Sequence, residues 1–217
     1  MPRVKEAHYF DREEGFDWRQ PQVAPLENLY DGPTGRLRGE STPVTLYWTP
    51  AHYRVLRYNP DMRFIILMRD PADRAWSQWR MSRSRGLESL EFGEAIRAGR
   101  CRVLDTPGPM GLSRHYSYVE RGYYARQIEQ LAQLFPLESM LFLSQDMLSE
   151  QIDETLAKVS GFLGISAFSA TEPLRLNVST AEADAEMSPD DRAYLNDLFK
   201  GDMARVKALT GITLQSG

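Results

Sequence analysis

Residues 62–80 read MRFIILMRDPADRAWSQWR, and the fold class turns on this stretch. Phe64 to Met68 is a short continuous apolar run, the pattern of a strand that a parallel sheet buries on both faces. Arg69, Asp70 and Pro71 follow; Asp is a favourable helix N-cap and Pro suits the first helical position. Ala72 to Arg83 holds no glycine and no further proline, so a helix is predicted there. Strand, turn and helix in that order put Arg69 at the carboxyl end of a strand, where open α/β sheets bind ligands. A guanidinium at that place offers a fork of donors to a phosphate or a carboxylate. On spacing alone a plainer reading stays open: a βα unit whose Arg69 pairs with a nearby acid.

Outward from this unit the chain reads as one α/β domain spanning 1–217, with a parallel sheet flanked by helices. Residues 1–60 are rich in proline, glycine and aromatics, which predicts loops with short helices around Glu6 and Thr42. A second helix is expected from about Ser89. Thr106 to Gly111 (TPGPMG) is a turn-rich break suited to a substrate-side loop. Ser113 or Arg114 to about Leu134 reads as helix, ended by Phe135-Pro136. Met140–Leu143 is a second buried strand, and Ile152–Leu163 a helix stopped by Gly164. Ala167 to Glu186 is polar and irregular. Ser188-Pro189-Asp190-Asp191 opens a last helix, with Ser at the N-cap and Pro at the first turn.

With 217 residues, 42% hydrophobic and 26% charged, the chain is long enough for a substantial core. A formal charge of −4 and a pI near 5.5 argue against a general nucleic-acid binder. Four lysines, Lys5, Lys158, Lys200 and Lys207, stand among 26 basic residues, a bias that coding composition explains as well as function does. The single cysteine, Cys101, leaves no internal disulfide and fits a reducing compartment, so cytoplasmic residence is the default expectation. No apolar run approaches the ~20 residues of a membrane span. His8, His52, His115 and Cys101 lack any metal-ligand spacing, and no metal site is expected.

RDPADRAWSQW, residues 69–79, resembles the RDP-x-x-R-x-x-S-x-aromatic segment of sulfotransferases that use 3'-phosphoadenosine-5'-phosphosulfate (PAPS). Three further segments resemble that family in the same order. Lys5-Glu6-Ala7-His8-Tyr9-Phe10-Asp11 is similar to the K-E-x-H-F-F-D segment of bacterial and heparan-sulfate-type enzymes. Glu40-Ser41-Thr42-Pro43 resembles their E-(K/S)-T/S-P turn. Arg121-Gly122-Tyr123, then Gln127, Leu131, Phe135-Pro136 and Met140 to Leu143, resemble the G-x-Y…QL…FP tract, and Gly161 to Gly164 the FLG that closes the next helix. The resemblance runs from about Lys5 to about Leu209.

It implies a P-loop nucleotide-kinase-like sulfotransferase fold and PAPS as co-substrate. Arg69 and Ser77 are the positions that would hold the 3'-phosphate. Sulfuryl transfer to a hydroxyl needs a base for the acceptor proton and cations for the charge that develops. Glu6 is the implied base, and His8 orients it or meets the acceptor. Lys5 is a candidate for contact with the sulfate or the acceptor, with a surface lysine as the plainer reading, and Asp11 is a candidate acceptor contact. Ser41 stands where some relatives carry a lysine, and serine cannot supply that charge. Arg114, His115 and Arg121 form a basic cluster that suits an anionic acceptor. Trp48, Tyr53, Trp76, Trp79, Tyr116, Tyr118, Tyr123 and Tyr124 are either core or the wall of an acceptor cleft.

One departure is serious. The family opens with an apolar strand and a glycine-rich loop, K-x-G-T-T or R-x-G-T, which wraps the 5'-phosphosulfate with main-chain N–H groups. No such loop occurs in the sequence. The expectation is therefore a domain that starts roughly 30 to 40 residues late and lacks its first βα unit. Transfer from PAPS to a hydroxyl or amine of a sugar or small metabolite is the leading reading. Beside it stands a non-catalytic nucleotide-binding relative that has lost the phosphosulfate loop. A P-loop phosphotransferase is disfavoured, since no GxxxxGK[ST] occurs.

Overall fold

The computed structural model describes residues 2–31, 35–105, 115–168 and 186–214. The turn-rich break 106–111, Arg114 and most of the polar stretch 167–186 lie outside the described residues. Packing divides the chain into two compact units, residues 1–62 with 127–136, and residues 63–126 with 137–217.

The first unit holds α1 (Ala24–Glu27), α2 (Val44–Tyr47) and α3 (Thr49–Tyr58), together with residues 127–136. Tyr9, Phe10, Leu26, Ala51, Val55, Ile128, Leu131 and Phe135 are buried in it. Tyr9 is ringed edge-on by Phe10, Phe16 and Trp18, at centroid distances of 5.0, 5.3 and 5.6 Å. His52 is a core residue of α3. Its Nε2 lies 2.9 Å from the Leu46 carbonyl, and burial pulls its pKa down. The expected helix around Glu6 does not form. His8 adopts a left-handed main chain, φ 47°, which no right-handed helix accommodates.

In the second unit β1 (Phe64–Met68) pairs in parallel with β2 (Met140–Ser144), in register from Phe64↔Met140 to Met68↔Ser144. The described residues thus give an α/β fold with a parallel sheet. Burial of β1 departs from expectation. Ile66 and Met68 are buried, whereas Ile65 and Leu67 remain 42% and 50% exposed. The alternation follows the period-two geometry of a strand that is covered on one face.

The helix after β1 is α4 (Pro71–Ser84), capped as the sequence predicts: Asp70 Oδ1 accepts from the Asp73 N–H at 2.9 Å. α5 (Phe92–Asp105) starts three residues later than expected, because Glu88 Oε1 takes the Leu90 N–H and holds that segment as a turn. The expected helix from residue 113 or 114 is shorter. Glu120–Gly122 form a 3₁₀ turn, and α6 runs only from Tyr124 to Ala132. Ser117, Tyr118 and Val119, three in a row, are all buried, a sweep of about 200° that the apolar stripe of one helix does not cover. α7 (Gln145–Glu150) follows β2. α8 (Ile152–Leu163) ends at Gly164 with φ 68°, and α9 (Pro189–Thr210) starts from the Ser188 cap, both as read from the sequence. No described helix is long and apolar enough to cross a membrane.

α4, α5 and α9 enclose the core of this unit: Ala72, Ala75, Trp79, Phe92, Ile96, Tyr118, Leu195 and Phe199. Two buried acids fasten it. Asp202 on α9 accepts from the first N–H groups of α6, Ala125 at 2.9 Å and Arg126 at 3.4 Å, which a helix cannot satisfy internally. Glu88 takes both terminal nitrogens of Arg102, at 2.8 and 3.0 Å, and the Tyr118 hydroxyl at 2.9 Å. Burial pushes the Glu88 carboxyl up, but these donors outweigh it and hold it below the usual range. Its stabilising share is present at neutral pH and is lost as the pH falls through that lowered value.

Gly122 lets the 3₁₀ turn approach α9. A Cβ there would press into the buried ring of Phe199 and stand 3.1 Å from Pro71 Cβ. Gly122→Ala is therefore expected to cost about 1–3 kcal/mol, the usual penalty for overpacking. Thermal unfolding of the variant, alone and combined with Phe199→Leu, measures it. The cost should shrink in the Phe199→Leu background, and equal costs in both would place the strain elsewhere.

Candidate functional site

Residues expected from the sequence to do chemistry fall into both units, and each group has its own geometry. In the second unit Arg69 leaves the carboxyl end of β1 directly before the Asp70 cap. The plainer reading of Arg69 required a neighbouring acid as partner. Asp70 and Asp73 are the nearest in sequence, and Arg192 of α9 takes them both, Asp73 at 2.6 Å and Asp70 at 3.8 Å. No hydrogen bond or ion pair engages the Arg69 guanidinium among the described residues. Its main chain instead hydrogen-bonds the hydroxyl of Tyr124, a phenol that burial pushes up in pKa. Ser77 is exposed on α4, about two turns beyond the Asp70 cap. Arg74, three residues back on that helix, is spent on structure: it donates to Gln78 Oε1 at 2.7 Å and to the Tyr118 carbonyl.

In the first unit Glu6, His8 and Asp11 converge. The His8 ring stands between two carboxylates, with Nε2 3.2 Å from Glu6 Oε2 and Nδ1 3.0 Å from Asp11 Oδ2. An imidazole donates from both nitrogens only when it carries two protons. Burial orders the three. The Asp11 side chain is 4% exposed, those of His8 and Glu6 52% and 38%. Asp11 is thus the buried anchor, and both His8 and Glu6 reach solvent. Lys5 and Ser41 are exposed.

What holds this segment lies far away in sequence. Arg54 of α3 donates to the carbonyls of Phe10 at 2.8 Å and Arg12 at 3.0 Å and pairs with Glu13 at 2.8 Å. Its guanidinium also lies over the Trp18 ring, 4.4 Å from the centroid. Arg57, one turn later, donates to the Trp18 carbonyl at 2.7 Å. The positive φ of His8, unique among the described non-glycine residues, costs about 1–3 kcal/mol and persists only if the surroundings enforce it. Its N–H donates to Thr42 Oγ1 at 3.2 Å, and that hydroxyl donates to Glu40 Oε2 at 2.5 Å.

Glu40 and Thr42 were not expected as site residues. Their signal was present in the E-S-T-P turn, but residue type alone does not show that Thr42 turns inward while Ser41 turns out. Burial raises the Glu40 pKa, and the Asp11 and Glu6 charges add to that, opposed by the Thr42 hydroxyl and His8. Tyr30 is pushed up to about 12, by burial and then by the Glu40 charge.

The first unit also has a cavity of about 870 Å³, walled by Tyr9, Trp18, Tyr53, Tyr58, Arg54 and Arg57 among others. Tyr9 and Phe10 line it, but Glu6, His8 and Asp11 do not. Of the aromatics weighed as acceptor wall, Tyr53 lines this cavity, while Trp79, Tyr118 and Tyr124 are core. Among the described residues no three His, Cys, Asp or Glu side chains form a set that could hold a metal.

Comparison with known proteins agrees with this architecture. The family model described as "Sulfotransferase domain" matches residues 34–189, a span that contains Glu40, Thr42, Arg69 and Ser77 but not Glu6, His8 and Asp11. Heparan sulfate glucosamine 3-O-sulfotransferase 3A1 of Mus musculus is 30% identical over 168 residues, covering 74% of this chain and 38% of that protein. Heparan sulfate glucosamine 3-O-sulfotransferase 6 of Homo sapiens is 29% identical over 164 residues, covering 74% and 43%. The chain spans less than half the length of these relatives. A sulfotransferase crystal structure from Alicyclobacillus acidocaldarius superposes with a TM-score of 0.79 at 25% identity, covering 98% of this chain and 85% of that one. On a strand-turn-helix unit of this kind, and with a match over most of its length, the chain belongs to the sulfotransferase family.

Proposed function

We propose that the protein transfers a sulfuryl group from PAPS to a hydroxyl, or an amine, of a carbohydrate or small-metabolite acceptor. The observation that carries the proposal is the Glu6–His8–Asp11 array: a buried carboxylate aims an imidazole, and the imidazole holds a second, solvent-reaching carboxylate. Glu6 takes the acceptor proton as the oxygen attacks sulfur, and the bond from sulfur to the bridging phosphate oxygen of PAPS breaks, releasing 3'-phosphoadenosine-5'-phosphate. His8, backed by Asp11, fixes Glu6 and supports the charge change. Arg69 takes the 3'-phosphate through its guanidinium fork, which Arg192 leaves available by engaging Asp70 and Asp73. Ser77 adds a hydroxyl donor. The heparan sulfate relatives favour a carbohydrate acceptor, and the aromatic cavity beside Tyr9 offers apolar walls of the kind that small-molecule sites use.

A second reading is nucleotide binding without turnover; beside it stands the fact that the family model's match contains Arg69 and Ser77 but not Glu6, His8 and Asp11. Titration with 3'-phosphoadenosine-5'-phosphate alongside a turnover assay separates the two.

If Arg69 grips the 3'-phosphate, Arg69→Ala should weaken binding of that bisphosphate by about 1.5–3 kcal/mol, and Ser77→Ala by about 0.5–1.5 kcal/mol. Calorimetric titration at fixed salt reads both; an Arg69→Ala protein that binds as well as wild type would sink the assignment.

Glu6→Gln keeps the shape of the side chain and removes the base. It should lower kcat by about 10²–10⁴ with nucleotide affinity intact. His8→Ala should cost less. A Glu6→Gln enzyme with undiminished kcat would move the base elsewhere.

A further inference from the structure

The geometry points to Glu40 as a positioning residue that acts through Thr42 on the left-handed main chain of His8 and so aims the imidazole joining Glu6 to Asp11. This rests on the reading of Glu6 as base. A hydroxyl has a single proton to give. Thr42 Oγ1 gives its proton to Glu40 Oε2, so a lone pair remains to receive the His8 N–H. Without Glu40 the hydroxyl rotates freely, and nothing dictates that its lone pair faces His8. Remove the hydroxyl and the His8 N–H loses its acceptor, at the described residue whose main chain most needs one.

Glu40 is retained at a cost. It is partly buried near Asp11 and Glu6, and burial, then those two charges, disfavour its own. An acceptor oxygen that sets the direction of the Thr42 hydroxyl beside the imidazole has a reason to stay there despite that cost. Thr42 is buried and Ser41 exposed, so it is the threonine of this turn, and not the serine, that faces the site.

The test uses the full chain, PAPS, and heparan sulfate as acceptor. Thr42→Val and Glu40→Ala should lower kcat about 10- to 100-fold, the scale of a misaimed catalytic group. Nucleotide affinity should stay unchanged. Thr42→Ser and Glu40→Gln restore a hydroxyl or an oxygen acceptor and should recover most of the rate. In a Glu6→Gln background Thr42→Val should cost little more, since an effect that passes through the base vanishes with it.

Nitrogen resonances of the His8 ring supply a readout that needs no turnover. They should report two engaged nitrogens in wild type and solvent-averaged values in Thr42→Val. Thermal unfolding checks the fold. Glu40 has a raised pKa when folded, so its destabilising charge appears as the pH rises. Glu40→Gln should therefore unfold no earlier than wild type at neutral pH, with the difference closing in acid. Unchanged His8 resonances and unchanged kcat in Thr42→Val, with Glu6→Gln still slow, would overturn the role of Glu40 while leaving the base in place. An undiminished kcat in Glu6→Gln would instead remove the reading on which it rests.

Discussion

The parallel pairing of β1 with β2 is the constraint on which the second unit rests. Antiparallel strands can be joined by a two-residue turn, but parallel ones need a crossover that carries the chain back to the starting edge. The register from Phe64↔Met140 to Met68↔Ser144 sets both strands to end at one level. Arg69 and the Ser144 cap of α7 therefore emerge from the same edge of the sheet. Pro71, which has no N–H to lose and a φ already suited to a helix, makes the turn into α4 abrupt. Arg69 thus sits at the strand end by backbone necessity, before any ligand is considered. The packing of α4 against α9 then brings Arg192 to Asp70 and Asp73, and this decides which cation those acids neutralise.

The first unit reaches its chemistry by other means. Glu6, His8 and Asp11 lie on irregular backbone, where no ladder of main-chain bonds fixes direction. Side chains from helices do that work: Arg54 and Arg57 grip carbonyls between Phe10 and Arg19, and Thr42 takes the His8 N–H. These contacts span 34 to 44 residues of sequence. An irregular segment tied at several distant points can hold one left-handed residue, whereas an untied one relaxes out of it.

This contrast explains what was legible in the sequence. Both strands, the Asp70 and Ser188 caps and the Gly164 stop obey local rules, and a local reading found them. The late start of α5 depends on Glu88, which is committed to Arg102 and Tyr118 as well as to Leu90 N–H, and no local propensity reports such a bond. The exposure of Ile65 and Leu67 was hidden for a similar reason: an apolar run is the same whether one face of its strand is covered or two. At the site, resemblance supplied residue types but not directions. It drew attention to Ser41, where relatives carry charge, although Thr42 is the residue turned toward His8.

Directions matter because the charge balance of the first site is otherwise unfavourable. Glu6, Asp11 and Glu40 place three carboxyl groups around one imidazole. Mutual repulsion and burial act against having all of them ionised, and the raised pKa of Glu40 is where that pressure shows. The arrangement becomes useful if each carboxyl has a different surrounding. Asp11 is buried and faces Nδ1; Glu40 is partly buried and satisfied by a hydroxyl; Glu6 faces Nε2 and reaches solvent. Groups of one type in unlike environments take unlike protonation roles, which is how acid–base sites divide their work. The left-handed turn at His8 is what keeps those environments apart. By setting the ring between Glu6 and Asp11 it leaves the third carboxyl to the Thr42 hydroxyl. Strain at one residue thus converts a cluster of like charges into an ordered array in which Glu6, among the carboxyl groups of the array, joins the exposed imidazole at the solvent side.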